Sequence, residues 1–382
     1  MVYYLGYYSC EQIAAEKRVA APPAMNKMGY IISVLSEMTD IHSIVVSPCE
    51  TSLHSYVKGS LHDLNGRVSL RTFDSFHSKN KIIRGLGHIW TKFQLLHFLM
   101  THVKSDDTVV VYHSLALMSV VKKLKKEKKC HLIIEVEELY SDVNEDQVLR
   151  EKELEYLQIA DKYIVITELL NKQVNGQNKP RIISHGTYRA VPKYSKKFND
   201  GKIHIVYAGT FNPVKGGAFS AIEAAEYLDD NYVLHILGNG TEADTEMVIK
   251  KIEQVSARTK CSVVFDGYKT GKEFDAFIQS CHIGLSTQQP DGKYNASSFP
   301  SKILMYMSNG ISVVSIRIPV VETSNVKDYI FYYDTPTPKD IANAVMCVPV
   351  DHTCDSSDRL HELHETFARD LNAFLKCEKE NV

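Results

Sequence analysis

Two successions of short apolar runs, each run followed by a helix-patterned segment, constrain this chain more than any other feature. In residues 1–187 the runs are Val2–Tyr7, Ser43–Ser47, Val68–Phe73, Thr108–Tyr112, Cys130–Val136, Tyr163–Thr167 and Arg181–Ser184. Helical spacing covers Met25–Met38, Gly87–Val103 and Lys152–Ala160 among them. After residue 202 the alternation restarts with Ile203–Ala208, Tyr232–Leu237, Ser262–Phe265, His282–Ser286, Ser312–Ser315 and Ile330–Tyr332. Runs that are apolar throughout, separated by helices, belong in parallel sheets covered on both faces. The expectation is an α/β chain with two Rossmann-like, doubly wound parallel-sheet domains, residues 1–187 and 203–357. Residues 188–202 (YRAVPKYSKKFNDGK), polar and basic with a Pro and a Gly, read as the linker. Residues 358–382 form a last amphipathic helix through Leu360, Leu363, Phe367, Leu371 and Phe374.

Composition narrows the class. Lys and Arg number 44 against 46 Asp and Glu, so nothing favours nucleic acid. The eight cysteines show no C-x-x-C spacing and read as reduced thiols. Neither a basic leader nor an apolar run of membrane-spanning length is present in the sequence, so the expected location is cytoplasmic. Two segments qualify that. The helix at Gly87–Val103 carries Trp90, Phe93 and Phe98, and Lys122–Lys129 is a nearly unbroken basic run. The helix reads first as core-facing and the lysines as a solvated helix end. Together they also fit a peripheral contact with the inner face of a plasma membrane.

Ligands of parallel sheets sit beyond the carboxyl ends of the strands. Four features of the second domain fall there. The loop Gly209-Thr210-Phe211-Asn212-Pro213-Val214-Lys215-Gly216-Gly217 permits close approach of backbone to phosphate, with Lys215 as a compact cation. Gly238-Asn239-Gly240 is a tight turn, and Gly267-Tyr268 offers backbone and a ring to a base. The stretch Tyr294–Gly310 places Ser297 and Ser298 ahead of Pro300 and a helix over Ser301–Asn309 that includes Lys302, an anion-friendly helix start. In the first domain His113 ends the strand Thr108–Tyr112. Glu137 and Glu138 end the next strand, where alternation lets only one face a ligand; Glu138 is carried forward as the candidate catalytic carboxylate, with His113 and Lys215. His361 and His364 are three apart, not in a zinc-binding H-E-x-x-H arrangement.

The set G-T-F-N-P-V-K-G-G, L-G-N-G, V-F-D-G-Y and F-P-S-K-I-L-M-Y-M-S-N-G resembles the donor domain of the retaining, family 4-like GT-B glycosyltransferases common in bacterial polysaccharide synthesis. D-T-V-V-V-Y-H-S is similar to that family's strand-then-histidine motif. The resemblance implies two domains facing across a cleft and a last helix crossing back to the first domain. It also implies a nucleotide sugar, UDP- or GDP-linked, in the second domain, an acceptor in the first, and no cofactor or metal. It assigns donor binding to Gly209, Thr210, Lys215, Gly216, Gly238, Asn239, Tyr268, Ser297, Ser298 and Lys302. The chain departs from the family at three places. Thr210 stands where a basic residue is usual, and Ser297 and Met305 stand where the family often has a glutamate pair, the second of which binds the donor ribose.

The resulting expectation is a sugar transferase acting on a glycan or lipid-linked acceptor of a surface polysaccharide. A non-catalytic GT-B-like subunit of a transferase complex is the rival from another class, with Met305 as its support. A sugar-nucleotide epimerase on the same fold is a third reading.

Overall fold

The runs Thr108–Tyr112 and Ser312–Ile316 are buried at every position, as strands covered on both faces must be. The computed structural model of the chain describes residues 1–144, 146–213, 216–290, 297–349 and 356–376. The chain divides into two units, residues 1–187 with 367–382, and residues 188–366.

The first unit is built on eight strands: β1 (Val2–Leu5), β2 (Ser43–Val46), β3 (Leu61–Asp63), β4 (Val68–Arg71), β5 (Thr108–Tyr112), β6 (His131–Val136), β7 (Lys162–Val165) and β8 (Arg181–Ile183). Their order is β3-β4-β2-β1-β5-β6-β7-β8, parallel except for β3, a short exposed strand that the sequence pattern missed. Helix Pro22–Glu37 starts at the Pro pair, where a missing N–H costs nothing, and buries Met28, Ile31, Val34 and Leu35. Phe367 of the last helix stacks on Tyr30 of this helix at 5.5 Å.

Helix Lys81–His102 begins six residues earlier than Gly87, because the Asn80 side chain accepts from Ile82 N and Ile83 N. Its buried positions are Gly87, Thr91, Leu95 and Leu99. Trp90 and Phe93 are 46% and 58% exposed, so the core-facing expectation fails for them. Phe98 alone of the three aromatics turns inward, edge-on to Tyr3 and Phe73. The basic run closes helix Met118–Lys128. Lys122 pairs with Glu155 at 2.9 Å, and Lys125 reaches Asp161 at 2.6 Å and the Cys130 carbonyl at 2.9 Å.

The second unit holds β9 (Ile203–Thr210), β10 (Tyr232–Asn239), β11 (Ser262–Gly267), β12 (Ile283–Ser286), β13 (Ser312–Ile316) and β14 (Ile330–Tyr333). All are parallel, in the order β11-β10-β9-β12-β13-β14. The expected linker is laid along this unit. Val191 N donates to Ser308 O, Tyr194 N to Gln279 Oε1 at 2.7 Å, and Phe198 N to Ser280 O at 2.9 Å. Helix Ser356–Leu375 is shared, its residues through Thr366 grouping with the second unit and those from Phe367 with the first.

Candidate functional site

The second sheet reverses direction at β9 and β12: β10 and β11 follow to one side, β13 and β14 lie to the other. At such a reversal the crossover connections leave on opposite faces, and a crevice opens at the carboxyl ends of the two strands. Here β12 pairs with β9 through only Ile283↔Ile205 and Gly284↔Val206, and the strands then part. Tyr306 of helix Ser301–Ser308 bridges the opening. Its hydroxyl accepts from Ala208 N at 2.9 Å and donates to Leu285 O at 3.2 Å. The ring lies over residue 284, which must be glycine because a Cβ there would collide with it. Burial pushes the Tyr306 hydroxyl well above its usual range, so it stays a donor.

This packing brings the start of helix Ser301–Ser308 to the end of β9. Pro300 occupies its N-cap position and supplies no side-chain cap. Ser297 is buried and Ser298 half-buried just ahead of it. Lys302 extends over the Tyr207 ring, Nζ 3.8 Å from the centroid, and a Cβ on Gly209 would stand 2.5 Å from that Nζ. A bare residue at 209 is what leaves room for the ammonium group. Helix Gly217–Ala224 also starts without a side-chain cap, from Gly216 in the left-handed region at φ 65°. Thr287, just past β12, donates from Oγ1 to Gly217 O at 2.6 Å and ties that helix start to the crevice. Two uncapped helix N-termini and one lysine therefore meet at the carboxyl ends of β9 and β12. That arrangement suits an anion with two phosphoryl groups.

Gly238 of β10 pairs with Gly209, and a Cβ there would strike the Gly209 carbonyl. Asn239 and Gly240 follow, exposed, as does Thr210 on β9. The helix after this turn, Glu242–Ser256, is closed by a capping box between Thr241 and Asp244, so its amides are already partly met. Tyr268 is 64% exposed beyond edge strand β11, two strands from β9, which places it about 10 Å to the side. Lys215 lies outside the described residues. Met305 is half-buried on the helix that carries Lys302.

In the first unit His113 is only 2% exposed. Its Nε2 stands 2.6 Å from Glu153 Oε1, and Glu153 also accepts from Tyr140 N and Ser141 N. Burial pushes the Glu153 carboxyl up, but the donors from His113 and Ser141 more than offset it and hold it below its ordinary value. With an ionised acceptor on Nε2, that nitrogen carries the proton. The buried Nδ1 has no hydrogen-bond partner among the described residues. Of the carboxylate pair after β6, Glu137 turns to Lys27, 3.4 Å away, while Glu138 is half-buried.

Tyr306, Thr287 and Tyr207 were not singled out from the sequence. The signal existed, a Thr-Gln-Gln run directly after an apolar strand, but its weight depends on β12 being the neighbour of β9.

The family model for glycosyl transferases group 1 matches residues 192–351. A sequence comparison with curated proteins finds no match. Among solved structures, a trehalose-6-phosphate protein from E. coli bound with UDP-2-fluoro glucose is similar at a TM-score of 0.64 and 11% identity, covering 100% of both chains. The α,α-trehalose 6-phosphate synthase of Burkholderia multivorans gives 0.62 and 11%, covering 98% of each. Anabaena HepE in complex with UDP and glucose gives 0.63 and 10%, covering 99% of each. At such identity these likenesses speak for the fold. The protein thus has the GT-B fold, and its second unit carries a glycosyl transferases group 1 domain.

Proposed function

We propose that the protein moves a sugar, with retention of configuration, from a nucleoside-diphosphate sugar to a glycan or lipid-linked acceptor in the synthesis of a surface polysaccharide. The observation that carries this is the meeting of two uncapped helix N-termini and Lys302 where β9 and β12 part. Glycosyl transfer from such a donor places growing negative charge on the departing diphosphate. Fixed amides and an ammonium group that face it lower the barrier without reorganising. Lys215, in the Gly209–Gly217 stretch of the sequence, is a second cation for the leaving group by the family resemblance. Two similar structures, one bound with UDP-2-fluoro glucose and one in complex with UDP and glucose, support a UDP-linked donor. The reading requires no metal.

His113 belongs to this reading, by the family resemblance, as a contact to the acceptor or the donor sugar, and Glu138 as a carboxylate near the acceptor. The protein works in the cytoplasm at an anionic membrane surface. Among the described residues no helix is long and apolar enough to cross a membrane, so the contact is peripheral.

Calorimetry with UDP, GDP, ADP and CDP tests the donor site. A ligand held at 100 times its Kd should raise stability by about 2.7 kcal/mol. No heat and no melting shift with any of the four would end this reading. Met305, in place of a ribose-binding glutamate, favours the alternative of a non-catalytic binding subunit. Nucleotide binding without turnover of any donor sugar would establish that alternative.

A further inference from the structure

The first unit contains a cavity of about 580 Å³ at the carboxyl ends of β1, β2 and β5, reached through Tyr7, Pro48 and Ala116. This is the size of a small-molecule site. One wall is helix Lys81–His102, a helix without a single Asp or Glu. Arg84, His88 and Lys92 face the cavity from it. They stand at i, i+4 and i+8, one basic group per turn along about 12 Å of rise. Glu50, the sole acid in the lining, is taken by His88, whose Nδ1 lies 2.7 Å from Glu50 Oε2. Arg84 and Lys92 therefore face the cavity with no carboxylate partner among the described residues. The lining is also apolar and buried at Leu95, on the same helix, and at Leu117 and Val120.

Two cations without a carboxylate partner, beside an apolar and buried lining, select for a molecule that has both characters. We propose that this cavity binds the phosphate or diphosphate group of an amphipathic acceptor, a phosphate ester whose organic part is apolar next to the phosphate. The proposal rests on the transferase reading above and specifies its acceptor. A single carboxylate would answer only one of the two cations. A fully hydrophilic phosphate would leave the apolar floor wet. Arg84 supplies a planar fork for phosphate oxygens and Lys92 a mobile point charge.

The test is calorimetric titration of the full chain with farnesyl diphosphate, inorganic pyrophosphate and farnesol. Farnesyl diphosphate should bind, and the other two at least about ten-fold more weakly, since each lacks one of the two matched parts. Arg84→Gln and Lys92→Gln should each weaken farnesyl diphosphate by about ten-fold or more. Arg84→Lys, which keeps the charge, should recover part of the loss. Pyrophosphate or farnesol binding as tightly as farnesyl diphosphate would overturn the proposal, as would glutamine variants that bind it unchanged. UDP serves as the internal control. Its heat should survive in every variant, because its proposed site is in the second unit. Absence of UDP binding in the wild type would sink the donor reading and leave the result for the cavity standing.

Discussion

Single residues at the parting of β9 and β12 carry different loads. Tyr306 is structural: replacing it with Phe removes the acceptor for Ala208 N in a buried place, at a cost of about 1–3 kcal/mol. Chemical denaturation should register that loss, and an unchanged midpoint would mean that water or a shifted strand replaces the hydroxyl. Lys302 is the opposite case. It lies half-buried with Nζ over the Tyr207 ring, so Lys302→Ala should lower stability only by the loss of that cation–π contact, about 0.5–2 kcal/mol. Loss of a charge-assisted contact to phosphate is worth about 1.5–3 kcal/mol, or roughly 10- to 150-fold in the Kd for UDP. Equal UDP affinity in wild type and variant would remove Lys302 from the donor site. Gly238 has no tolerance, since φ is +148° and a Cβ would strike Gly209 O. Gly238→Ala should cost more than about 3 kcal/mol, visible as loss of soluble, cooperatively melting protein.

At the scale of elements, strand β6 and helix Lys81–His102 of the first unit each carry a testable feature. On β6, Glu135 is fully buried beneath helix Pro22–Glu37, and Tyr4 donates to its Oε2 at 2.6 Å. Burial first, then the nearby Glu137 charge, pushes its carboxyl from 4.5 up to about 8, against a smaller pull from Lys27. Between about 4.5 and 8 the native state therefore holds a proton that the unfolded chain has released. Stability should decline as pH rises through that window. Glu135→Gln mimics the protonated form and should flatten the decline; a variant whose pH profile keeps the wild-type slope would show that another group is responsible. Helix Lys81–His102 presents Ile82, Leu86, Ile89, Trp90 and Phe93 to solvent. Lys123 and Lys126 lie exposed on the neighbouring helix Met118–Lys128. Such a face fits an anionic bilayer, with about 1 kcal/mol per lysine near the surface. Trp90 is the single tryptophan, so its emission should shift to the blue with anionic vesicles and less so at 1 M salt, where the Debye length is about 3 Å. An equal shift with neutral vesicles, or none with either, would leave the stripe to a protein partner. Lys122 and Lys125, occupied by Glu155 and Asp161, should matter less to this binding than Lys123 and Lys126.

For the whole molecule, the last helix belongs to two units at once. Phe367 and Leu371 are buried with the first unit although some 180 residues of the second intervene. Phe367→Ala should cost the first unit about 3–5 kcal/mol, while UDP-induced stabilisation of the second unit persists. A scan in which the UDP shift disappears along with the lost stability would mean that the two units do not respond separately.

Strand and helix periodicity, the restart of the alternation after residue 202 and the glycine-rich positions at strand ends were all legible from residue order. Each depends on neighbours a few residues apart: an apolar run is buried on both faces, and Gly209 or Gly238 ends a strand, wherever that strand is placed. The exposed Trp90 and Phe93 were not legible, because a helical stripe of apolar residues looks the same whether or not anything covers it. Nor was the extended docking of residues 188–202, since polar composition does not reveal which carbonyls a segment will meet. The site itself depended most on tertiary structure. Only the order β10-β9-β12-β13 brings Lys302, Thr287 and Tyr207 together from positions up to 95 residues apart. Strand order is set by which helices cover which face of the sheet, a matter of long-range packing that no local pattern encodes.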